Sequence, residues 1–201
     1  GKVVALSLFV ATCIATCPPV SPQQNFNVTE YANGPWYVQM QMPVKYLPLD
    51  EFYCVRANYT IKTPTTISVY NYANIGEVNG EATGGDLCAV VKNVDEPAEL
   101  SVGPCFLPKA FYGPYWVLLA GPDSNNYQYA LVSGGQPTIE TGNGCKTGSG
   151  TNNSGLWVFS RTQVAPQSQI DMVVNAAADM GFDTSVLSTV EQEGCIYPPL
   201  Q

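Results

Sequence analysis

Asn33-Gly34-Pro35-Trp36-Tyr37-Val38 is a tight turn that delivers a large aromatic pair to the start of a β-type run. From 36 to 42 the residues alternate, with Trp36, Val38, Met40 and Met42 on one side and Tyr37, Gln39 and Gln41 on the other, and Pro43 ends the run. Working outward, the same unit recurs. Residues 53–61 put Val55, Ala57, Tyr59 and Ile61 on an inward face and Cys54, Arg56, Asn58 and Thr60 on an outward one. Further strands are expected at 67–72 and 77–83, joined by Asn74-Ile75-Gly76, and at 98–102, 115–120, 127–133 and 156–160. Trp157, Phe159 and Arg161 share one parity at the end of that series.

These are eight short strands with turn signals between them. An antiparallel barrel closes such a set without leaving a sheet edge, and a filled sandwich fits the same pattern. The period changes only once: Ile170, Val173, Val174, Ala177 and Met180 recur at helical steps between Pro166 and Gly181. This predicts one amphipathic α-helix packed outside the sheet. The fold class is therefore all-β, an eight-stranded antiparallel up-and-down barrel with a C-terminal helix. Residues 27–31 read as a single helical turn, 134–155 as a long Gly-rich hairpin connection, and 186–201 as an extended tail.

Composition excludes several functions. Eight basic residues against sixteen acidic ones give a formal charge of −8, which argues against nucleic acid, whose phosphates need a basic face. The chain has no His, so serine–histidine triads, imidazole acid–base chemistry and His-ligated zinc are unavailable. The reading calls for no catalytic residue, no metal and no cofactor. The acidic pairs Asp50/Glu51, Asp95/Glu96 and Glu191/Glu193 fall in turns or the tail and read as solvated surface.

Lys2 precedes the apolar run 3–11, too short to span a bilayer, and small residues follow. An export signal over 1–15 is expected, with the mature domain over 16–201. Of seven cysteines, Cys13 leaves with the signal. Cys17, Cys54, Cys88, Cys105, Cys145 and Cys195 remain, and an oxidising compartment would pair them, in an order that spacing cannot choose. Asn27, Asn58 and Asn152 carry glycosylation sequons. Secretion, or delivery to an oxidising lumen, is the expected localisation.

Gly34-Pro35-Trp36-Tyr37, Tyr127-Gln128-Tyr129-Ala130-Leu131-Val132 with Asp123 before it, and Leu156-Trp157-Val158-Phe159-Ser160-Arg161 resemble, in order, the three signatures of the lipocalin family. Cys17-Pro18-Pro19-Val20, Cys54-Val55-Arg56-Ala57-Asn58-Tyr59 and Glu96-Pro97-Ala98-Glu99-Leu100 resemble its apolipoprotein D and bilin-binding branch. Two residues are inserted after Asp123 relative to the second signature, and the 134–155 connection is longer than that branch implies. The resemblance implies disulfides Cys54–Cys195 and Cys17–Cys145 and leaves Cys88 with Cys105.

It also implies extracellular or lumenal binding and transport of a small hydrophobic ligand: a lipid, retinoid, carotenoid, sterol or tetrapyrrole. Tyr59 and Trp157 match ligand-contact positions of the branch. Phe159, Val69, Leu100 and Val102 are further candidate lining, with ordinary barrel filling as the alternative. Gly34, Trp36 and Arg161 are expected to close the barrel, the guanidinium lying over the indole. A protein or membrane contact module is the second reading, through the aromatic loops 46–49 and 111–115; a lipocalin-type isomerase is the third.

Overall fold

The computed structural model describes residues 16–200; the expected signal at 1–15 lies outside them. Eight strands form the barrel: β1 (Gly34–Gln41), β2 (Tyr53–Thr63), β3 (Thr66–Ile75), β4 (Glu81–Val91), β5 (Glu99–Gly103), β6 (Gly113–Asp123), β7 (Asn126–Ser133) and β10 (Leu156–Ser160). Each pairs antiparallel with the next, and β10 pairs with both β7 and β1, closing the cylinder. The connection 134–155 is not a bare loop. It folds its own small hairpin, β8 (Ile139–Glu140) with β9 (Cys145–Lys146).

The turn before Trp36 needs its glycine, because Gly34 holds a positive φ of 100° that side chains disfavour. A short helix, α1 (Val28–Tyr31), precedes it, capped by the Asn27 side chain on the Glu30 N–H. The helix α2 (Gln167–Asp179) follows Pro166 and ends before Gly181 at φ 90°. It lays Val173 and Ala177 on the outer face of the barrel against Leu131, Leu156 and Val158, as its apolar spacing requires.

Three strand expectations need correction. The fourth strand is Glu81–Val91, not 77–83; residues 77–80 turn instead, and Gly80 donates to the Glu77 carbonyl. Gly84-Gly85 reads locally as a breaker, yet it lies within β4, because a side chain at Gly84 would collide with the Asn71 carbonyl of β3. Second, the alternation of β1 does not run through. A bulge between Val38 and Met40 shifts the register. Beyond it Met40 and Met42 join the outer cluster under α2, and Gln41 turns inward opposite Trp157. Third, Ile61 is exposed at the end of the β2–β3 hairpin rather than buried within the barrel.

The tail is more than extended chain. It contains a 3-10 turn (Thr184–Val186) and β11 (Ser188–Thr189), which pairs with β1 outside the barrel. Beyond their short paired stretch, β1 and β2 take partners from the tail. Val190 donates to the Gln39 carbonyl, Cys54 donates to Glu191, and the buried Gln192 amide donates to Val38 and Val55, both at 2.8 Å. All six cysteines pair, as Cys17–Cys145, Cys54–Cys195 and Cys88–Cys105. The first two are the pairs that the branch resemblance implies.

Candidate functional site

The interior is a cup with an aromatic base. Trp36 is fully buried and donates from Nε1 to the Tyr31 carbonyl at 2.8 Å. Arg161 lies over its ring at 3.8 Å and donates to the carbonyls of Pro35, Glu30 and Tyr31, each at 2.9 Å. A guanidinium held in this way binds the first turn, the first strand and the last strand together. Phe159 stacks above Trp36 at 6.1 Å between ring centroids, and Tyr31 lies 5.1 Å from it.

Three phenols meet on this base. The Tyr31 hydroxyl lies 2.6 Å from that of Tyr115, and the Tyr59 hydroxyl lies 2.7 Å from the same atom. Burial disfavours the phenolate, so Tyr59 is pushed up to about 12, and Tyr31 and Tyr115 are raised well above the ordinary tyrosine value. The cluster is neutral at physiological pH, and its hydroxyls satisfy one another.

Above the base, one wall is built from small residues. The inward row Ala57, Asn71 and Gly85 crosses β2, β3 and β4, with Ala73 and Thr83 paired next to it. A Cβ added at Gly85 would meet nothing within 4 Å, so this wall leaves open space. Across the β10–β1 seam stand Trp157 and Gln41, directly paired. Gln41 is fully buried, and neither atom of its amide finds a hydrogen-bond partner.

The structure brings all six candidate lining residues into this interior: Tyr59, Trp157, Phe159, Val69, Leu100 and Val102 belong to or pack on one cluster. Val69 pairs between Tyr59 and Leu87, Leu100 pairs with Tyr115, and Val102 pairs with Ala89. Three interior residues escaped the sequence reading. Tyr31 sits on a one-turn helix whose pattern says nothing of its long-range partner. Tyr115 stands where the expected aromatic loop 111–115 meets the expected strand 115–120, and the alternation of β6 carries it inward. Gln41 is expected outward, because the bulge is invisible in a run that alternates cleanly.

Outside the barrel, Tyr46, Leu49, Phe106 and Phe111 are exposed on the β1–β2 and β5–β6 connections at the open end, whereas Leu47 packs inward against both clusters. Of the sequon residues, Asn152 is exposed. Asn27 is occupied as the α1 cap and by a bond to Ser124. Asn58 is only 5% exposed. Among the described residues no cluster of His, Cys, Asp or Glu is placed to hold a metal.

Over 173 residues the chain is 31% identical to temperature-induced lipocalin-1 of Arabidopsis thaliana, a match covering 84% of this chain and 81% of the plant protein. Over 188 residues it is 28% identical to the outer membrane lipoprotein Blc of Vibrio cholerae, covering 93% and 95% respectively. Among solved structures, lobster apocrustacyanin A1 aligns with a TM-score of 0.58 at 17% identity, over 89% of this chain and 92% of that one. The cockroach allergen Per a 4 aligns with a TM-score of 0.58 at 15% identity, over 89% and 96%. At these identities the two structures speak for the fold. No family model matches the chain. The plant relative, the closed eight-stranded barrel and the Arg161–Trp36 closure at its base agree on one assignment: this chain belongs to the lipocalin family.

Proposed function

We propose that the protein binds and carries a small hydrophobic molecule inside the barrel, in an extracellular or lumenal oxidising compartment. The observation that carries this reading is the asymmetry of the interior: an aromatic base faces a wall of small residues that is open at Gly85. Apolar walls, aromatic faces and a few polar groups are what such a site requires. Trp157, Phe159 and Tyr59 supply the aromatic faces, with Val69, Leu100 and Val102 as aliphatic lining. Three disulfides in a chain of this size fit an oxidising compartment.

The test is native mass spectrometry of protein from its source, followed by fluorescence titration with retinoids, carotenoids, tetrapyrroles, sterols and fatty acids. A bound apolar molecule, or saturable quenching weakened by Trp157→Ala in a folded variant, supports binding. A chain that stays empty across the panel overturns it. The exposed Tyr46, Leu49, Phe106 and Phe111 favour a second reading, contact with a protein or membrane at the open end. A stable protein partner in the same spectra would support it.

A further inference from the structure

Resting on the proposed binding of a hydrophobic molecule, we infer that the ligand carries a neutral polar head group, an alcohol or amide rather than a carboxylate, and that Gln41 is the residue that selects it. Burying an amide with neither its donors nor its acceptor satisfied is unfavourable, and native proteins rarely tolerate it. Two other side chains bury an unpaired atom, but each has an evident explanation. Asn74 already donates to Tyr72 and Gly80, leaving only its carbonyl unmatched. Arg56 lies on the outer face, where it donates to the Pro198 carbonyl and stacks on Tyr197. Among the described residues, Gln41 alone leaves both ends of its side chain unmatched.

Its direction follows from register. Val38 pairs with Phe159 and Gln41 with Trp157, so the bulged strand presents both Val38 and Gln41 to the interior. The tyrosine base is self-satisfied and makes no such demand. A ligand would thus rest its apolar body on the base and the small-residue wall, with its head group beside Gln41 and Trp157.

The sign of the head group follows from the surrounding charges. Gln41, Asn71, Thr83 and the three tyrosines are neutral. Moving outward along the β3–β4 pair, the first inward acid is Glu81, at the exposed rim opposite Ile75. Arg161, at the base, is committed to three carbonyls and to the Trp36 face, and Lys45, four residues beyond Gln41 on the β1–β2 connection, is exposed to solvent. A carboxylate beside Gln41 would receive the Nε2 protons but would confront Oε1 with no free buried cation among the described residues to compensate, at a large desolvation cost. A hydroxyl or amide can donate to Oε1 and accept from Nε2 together.

The test uses matched pairs on the full chain at neutral pH: retinol against retinoic acid, and cetyl alcohol against palmitate, each with wild type and Gln41→Leu. The expected result is that wild type prefers each alcohol by about tenfold or more. Gln41→Leu should lose that preference while its unfolding midpoint stays level or rises, because a leucine needs no partner. Equal or tighter binding of the acids by wild type overturns the inference while leaving the binding reading intact. So does a Gln41→Leu variant that keeps the preference, or one that is markedly less stable, which would mark the amide as structural. Wild type that takes up none of the four overturns this inference, and the binding reading falls with it only if the wider panel also leaves the chain empty.

Discussion

At the scale of single residues, Trp36 and Arg161 form the most strongly constrained pair in the barrel. The indole is wholly buried and the guanidinium has three carbonyl partners besides the ring face. Trp36→Ala should therefore cost about 3–5 kcal/mol and Arg161→Ala about 2 kcal/mol, read as shifts in urea unfolding. Any loss of ligand uptake should track the loss of folded protein. The tyrosine base gives a second expectation. An acid whose folded pKa is raised keeps its full contribution to stability below its unfolded pKa and loses it as pH climbs towards the folded one. Tyr59 moves from 10.0 to about 12, and Tyr31 and Tyr115 move the same way. Stability should be insensitive to these groups below pH 10 and should fall steeply above it. Tyrosinate absorbance should appear together with unfolding, and the fall should be shallower in Tyr115→Phe. A chain whose stability stays flat from pH 9 to about 12 would contradict the buried neutral cluster.

Among elements, β1 and β4 show where sequence reading succeeds and where it stops. The start of β1 is legible because a Gly turn, a large aromatic and strict alternation all act locally. Its second half is not, because the bulge at Gln39 arises from partners remote in sequence: the Gln39 side chain accepts from Ala165 and donates to Gln163. The bounds of β4 elude a local reading for a related reason. Gly84 is chosen by the close approach of Asn71, a tertiary contact, and a local reading takes it for a stop. The prediction at this level is that Gly84→Ala destabilises by about 1–3 kcal/mol, since it combines a positive φ with that collision. The Cys88–Cys105 bridge ties β4 to the β5–β6 connection over a separation of 17 residues. Replacing both cysteines by Ala should cost about 3 kcal/mol by loop entropy, measured by guanidinium unfolding. Removing Cys54–Cys195, with a separation of 141, should cost more.

For the whole molecule, the strand count, the long C-terminal helix, the closure and the inward placement of the six candidate residues could be read from the chain, because barrel alternation and the three ordered signatures constrain one another. The polar features of the interior could not. The Tyr31–Tyr115–Tyr59 contact and the inward turn of Gln41 exist only once distant strands are in place. Arg161 and Trp36 unite the ends of the barrel without a covalent bond, whereas the disulfides do so covalently and with overlap. Cys17–Cys145 spans the chain from its N-terminal lead-in to β9, and Cys54–Cys195 spans it from β2 to the tail. Every peptide bond between 17 and 195 therefore lies under at least one of these two bridges. The exposed stretch 149–153 is the natural place for a protease to cut. A single cut there, or anywhere else between those cysteines, should leave one band on a non-reducing gel and two after reduction. Wired in this way, the chain survives its first nick as one molecule.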